Sequence, residues 1–210
     1  MKTSRKLRSA LLALIAFCAL AALGPAQSQA GEFTAAEYPA TITGQNVGVH
    51  ELTTEIGVME CEMTFDGPLV EPSETLTVVP TYGTGCTIEG LMVHVSNNGC
   101  DFLLHAGETL GEHEVGGTMD IQCPVGNAID FEITAMMFCH LTVPAQEGLA
   151  VKFQNSTMFP DAHLNTNVQG LTYRLDPGCP VVGNYNNGTY TGTTTVKADH
   201  GGMGTGFAVY

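Results

Sequence analysis

Over long stretches of this chain, apolar and polar residues alternate one for one. Met59-Glu60-Cys61-Glu62-Met63-Thr64-Phe65 does so without exception. Leu76 and Val78 alternate with threonines, and Leu91, Val93 and Val95 with Met92, His94 and Ser96. The pattern returns at Ile129, Phe131 and Ile133, at Leu149, Val151 and Phe153, and at Leu171, Tyr173 and Leu175. Side chains two apart on a strand point the same way, whereas a helix repeats every 3.6 residues. One-for-one alternation therefore gives a strand one apolar face, which predicts half-buried antiparallel strands. Past residue 30 no window carries a 3.6-residue stripe. Roughly ten short strands at this spacing predict an antiparallel β-sandwich. No Pro/Ser-rich linker divides them, so residues 41–210 read as a single all-β domain, with residues 31–40 as a flexible N-terminal segment.

Turn residues separate the runs. Asn98-Gly99 suits a type I′ turn, which predicts a hairpin between residues 91–97 and 100–105, and Asn187-Gly188 predicts another. Asp66-Gly67-Pro68, residues 80–85, residues 124–127 and Asp176-Pro177-Gly178 read as further turns or strand ends.

The first thirty residues differ in kind. Lys2, Arg5, Lys6 and Arg8 precede the apolar run 11–23, Gly24-Pro25 ends it, and Ser28-Gln29-Ala30 supplies small residues at a cleavage site. This order predicts a helical secretory signal peptide over 1–30. The run is short of the roughly 20 residues a membrane span needs. Cys18 does not fit a lipoprotein cysteine, because Phe17 precedes it and apolar residues follow. Removing the leader leaves three basic residues, Lys152, Arg174 and Lys197, against 21 acidic ones, a formal charge of −18. Such a surface repels phosphate backbones and anionic lipid, which argues against nucleic-acid binding and polybasic membrane attachment.

Six cysteines remain: Cys61, Cys86, Cys100, Cys123, Cys139 and Cys179. An even count in an exported chain reads as disulfides. Six allow fifteen pairings, and no C-x-x-C spacing points to zinc instead. Cys61 lies on the apolar phase of its run, Cys123 on that of Met119 and Ile121, and Cys139 on that of Met137, Leu141 and Val143, so these sulfurs are expected to face the core. A faint repeat runs cysteine, loop, strand, cysteine, strand, once from Cys86 to Cys100 and once from Cys123 to Cys139. It predicts two hairpins, each closed by its own bridge. A Cys61–Cys86 bridge would contradict it and leave Cys100 for a distant partner such as Cys179.

No catalytic motif stands out. His94 and His140 fall on polar phases, and H-E-x-x-H, G-x-S-x-G and a phosphate-cradling Gly-Lys-Thr loop do not occur. Glu112-His113-Glu114 with Asp120 nearby could hold a divalent ion but reads first as a solvated loop. The EF-hand loop is absent, although acidic residues distant in sequence could still gather around calcium. Asp130 and Glu132 share one face of one strand, which fits an exposed ladder better than an acid/base pair. Asn155-Ser156-Thr157 and Asn187-Gly188-Thr189 match the glycosylation sequon.

The stretches TVVPTYGTGC, NNGCDFLL, DIQCP, CHLTVPAQ and NGTYTGTTTV, together with Cys61, resemble a group of exported actinobacterial proteins to which no activity is assigned. The resemblance covers most of the chain past the leader. It implies secretion and a cysteine-bridged β domain, and it transfers no catalytic or binding residue. The expectation is a secreted or envelope-associated, non-catalytic β domain with a structural or binding role, no cofactor, and a cell-surface or extracellular ligand as partner. A cation-dependent adhesion domain is the first alternative and a secreted hydrolase the second.

Overall fold

The computed structural model describes residues 31–134, 139–157 and 160–210, so the expected signal peptide lies outside the described residues. Within them are seventeen strands and no helix: β1 (Phe33–Ala35), β2 (Ala40–Asn46), β3 (His50–Thr54), β4 (Gly57–Cys61), β5 (Met63–Leu69), β6 (Thr75–Tyr82), β7 (Thr87–Ile88), β8 (Leu91–Ser96), β9 (Asp101–Thr109), β10 (Glu114–Gln122), β11 (Ala128–Ile133), β12 (Cys139–Pro144), β13 (Gln146–Asn155), β14 (Ala162–Leu175), β15 (Gly183–His200), β16 (Met203–Thr205) and β17 (Phe207–Val209).

Twelve of these strands come in consecutive pairs separated by at most five residues. β2 leads to β3, β4 to β5, β6 to β7, β8 to β9, β10 to β11, and β12 to β13. Hydrogen bonding closes on itself twice. One circuit runs β15–β2–β5–β6–β9–β10–β13–β14 and back to β15; the other runs β15–β3–β4–β7–β8–β11–β12–β14 and back to β15. Each pair contributes one member to each circuit, while β14 and β15, 14 and 18 residues long, belong to both. By connectivity the chain makes eight antiparallel crossings in sequence order, and the eighth pairs with the first. The antiparallel, disulfide-stapled all-β fold expected from the alternation is present, with its sheets joined on both sides into closed circuits.

Alternation decides what faces inward. In β5, Met63, Phe65 and Leu69 are buried while Thr64, Asp66 and Pro68 are exposed; in β13, Leu149, Val151 and Phe153 are buried while Ala150, Lys152 and Gln154 are exposed. Apolar side chains fill the interior and polar ones cover the outside, the reverse of a transmembrane barrel, whose apolar band faces lipid.

The six cysteines form three bridges: Cys61–Cys86, Cys100–Cys123 and Cys139–Cys179. The two self-closed hairpins expected from the faint repeat are therefore absent, and Cys100 pairs with Cys123 rather than with Cys179. Strand register is the reason. Met59 faces Ile88 and Glu60 faces Thr87, so the next step of that ladder sets Cys61 opposite Cys86. Ile121 faces Phe102 and Gln122 faces Asp101, so the next step sets Cys100 opposite Cys123. Across its other edge, the Cys86 carbonyl accepts from the Val93 amide. These two bridges sit where paired strands are interrupted, and the third ties the start of β12 to the turn after β14. Chain-entropy arguments put each at about 3–4 kcal/mol for such loops. Cys61 and Cys139 are buried as expected, whereas Cys123 is only half-buried.

Several turn expectations need correction. Asn98 and Gly99 do adopt positive φ, 48° and 76°, as a type I′ turn requires. Yet β8 and β9 do not pair with each other; they are successive members of one crossing, so the turn interrupts a crossing instead of making a hairpin. Its polar groups hold neighbouring crossings: Asn97 Nδ2 donates to the Pro80 carbonyl and Asn98 Nδ2 to the Ala128 carbonyl. Asn187-Gly188 lies inside β15 at a register shift opposite Leu171, and Asp66-Gly67-Pro68 lies inside β5. Residues 124–127 and 176–178 are turns, as read from the sequence.

Residues 31–40 contain β1 and the first residue of β2. β1 pairs with β17, and the Phe33 backbone exchanges hydrogen bonds with Ser73. The Phe33 ring is fully buried, edge-on to Phe153 at 5.2 Å and stacked on Phe207 at 6.4 Å. β1 and β17 thus cap the end of the first circuit.

Candidate functional site

Where the two circuits meet, side chains from ten strands converge on an interior cavity of about 50 Å³. Its lining includes Met59, Met63, Met119, Tyr82, Tyr190 and His50, with Cys61 of the first bridge also exposed to it. His50 arrives there by alternation: in His50-Glu51-Leu52 it shares the inward phase with Leu52, and only 1% of it is accessible. No motif singles it out in the sequence, but that phase marks it as buried.

The imidazole is fully engaged. Its Nδ1 is hydrogen-bonded to the Tyr190 hydroxyl at 2.6 Å and its Nε2 to Thr194 Oγ1 at 3.2 Å. The Tyr190 hydroxyl also donates to Met63 Sδ at 3.7 Å. Gly192 on β15 makes room for the ring, since a Cβ there would lie 2.3 Å from His50 Nδ1. Burial lowers the His50 pKa below its ordinary value, with a hydrogen bond to the Thr193 backbone partly opposing the effect, so the ring is neutral. Burial likewise pushes the Tyr82 and Tyr190 phenols well above their usual range. The interior therefore carries an uncharged imidazole and un-ionised phenols.

The acidic motif is divided. Glu112, His113 and Glu114 line an open groove beside the capped end, together with Asp161 and Tyr210. Glu114 pairs with Lys152 at 3.1 Å. Asp120 is elsewhere: it meets His105 Nε2 at 2.8 Å and accepts from the Gly148 amide at 2.8 Å. Among the described residues no group of three or more His, Cys, Asp or Glu side chains is placed to hold a metal ion. Asp130 and Glu132 lie in β11 beside β12, where Asp130 meets His140 Nδ1 at 3.1 Å. Both sequon asparagines have structural work. Asn155 donates to the Val209 carbonyl and accepts from the Val209 amide, and Asn187 Nδ2 donates to Glu55.

The chain matches no protein-family model, and comparison with curated proteins and with solved structures finds no similar protein.

Proposed function

We propose that this chain is an exported, non-catalytic β domain that works outside the cytoplasm by structure and binding. One observation carries the reading: all six cysteines past the leader are joined in three bridges, two of them at interruptions of the strand crossings. Such bonds persist in oxidising compartments and are reduced in the cytosol. The polar outer face and the −18 charge expected after leader removal favour a dispersed extracellular protein. In the interior both ring nitrogens of His50 are engaged, by Tyr190 and by Thr194, which fits a structural role for the imidazole.

Export of the full chain from a secreting host tests this. The reading expects exported material whose N-terminus begins near residue 31 and which shows no free thiol without reductant. Retention inside the cell with titratable thiols would overturn it. The same material is expected to melt at the same temperature with and without chelator, whereas a midpoint lowered by chelator would favour the cation-dependent adhesion domain.

A further inference from the structure

We infer that the cavity between the two circuits is a binding site for a compact apolar molecule, from a xenon atom up to a single aromatic ring. This deepens the binding side of the reading above and rests on it only there: an interior that takes no ligand would leave an exported scaffold standing.

Three observations carry the inference. First, the space is enclosed by side chains that are themselves core residues, among them Met59, Met63 and Met119, each less than 5% accessible. Of its wall residues, Tyr82 and Tyr190 are half-buried and the rest are buried. Second, water has little to hold it. A buried water needs two to four polar partners; His50 and Tyr190, both on the wall, already spend their polar atoms on each other, on Thr194 and on Met63, which leaves the Tyr82 hydroxyl as the further side-chain hydroxyl of the lining. Apolar cavities of this kind stay dry and admit apolar guests; one of about 150 Å³ takes benzene. Third, the walls can yield. Methionine has three rotatable bonds and a polarisable thioether, so it repacks around a guest more readily than branched side chains do. At about 50 Å³ the resting space admits an atom of xenon's size, and movement of the three methionines enlarges it toward a ring. The adjoining Phe131 and Tyr82 rings, 6.1 Å apart, offer aromatic edges and faces to such a guest.

The test follows the methionine methyl groups by carbon–proton NMR while xenon, then benzene, is added to the oxidised full-length protein. The expected result is a saturable shift at Met59, Met63 and Met119, with exposed Met92 and Met203 unmoved. Val143→Leu, which fills the cavity from β12, is expected to weaken binding at least tenfold. Val143→Ala, which enlarges it, is expected to tighten benzene binding, so the pair remains informative if one variant folds poorly. Shifts that grow without saturating, shifts of equal size at Met92 and Met203, or affinities unchanged in the folded variants would overturn the inference.

Discussion

Gly192 and His50 form one unit in the interior, and each tests the other. A methyl group at residue 192 would overlap the imidazole, and the ring is held on both sides by Tyr190 and Thr194. Gly192→Ala is therefore expected to cost about 1–3 kcal/mol by overpacking. Gly204→Ala, where nothing lies within 4 Å of the new Cβ, should stay within about 0.5 kcal/mol. Urea titration of both variants checks this; equal losses would remove the steric argument. His50 also makes stability depend on pH. Its folded pKa lies below that of the unfolded chain, near 6.5, so on acidification the unfolded state takes up the proton first. The contribution is complete above about pH 6.5 and falls as pH drops from there toward the folded pKa. The stability difference between the wild type and His50→Gln is expected to shrink across that interval, and a difference that stays constant from pH 7.5 to pH 5 would contradict the assignment.

At the level of strands, alternation and ladder register explain most of what forms. The runs at 76–78, 91–95, 129–133, 149–153 and 171–175 are all strand, and 59–65 is strand on both sides of a break at Glu62, because burying one face per strand is what a two-residue period permits. Turn chemistry was less informative. Asn98-Gly99 has the backbone its residues demand, but turn conformation does not dictate which strands pair, and here β8 and β9 bond to other neighbours. Gly67 serves close approach to the Thr77 carbonyl inside β5 and marks no turn. His50 was legible through its phase with Leu52, whereas its partners Tyr190 and Thr194 lie 140 and 144 residues away and only the fold brings them to it. The terminal cap was hidden for the same reason, since Phe33 finds Phe207 at the other end of the chain. Asn155 clasps that cap by bonding both backbone groups of Val209. Asn155→Ala is expected to cost about 1–3 kcal/mol and to leave those groups unpaired. The check is faster amide exchange at Val209, with β14 and β15 protected as before. Exchange unchanged at Val209 would mean the clasp does not hold the terminus.

For the molecule as a whole, closure is the governing feature. Eight crossings bonded in sequence order, with the last returning to the first, leave the main circuits without the unpaired edges that open sheets must protect. The bridges follow from that order, because neighbouring crossings bring Cys61 to Cys86 and Cys100 to Cys123, and the turn after β14 reaches Cys139. Pairing of the sulfurs therefore reports directly on pairing of the strands. Proteolysis of the exported, non-reduced protein followed by mass spectrometry of the linked peptides reads it out. The closed, register-matched fold predicts Cys61–Cys86, Cys100–Cys123 and Cys139–Cys179 as the linked pairs, whereas Cys86–Cys100 together with Cys123–Cys139 would contradict it.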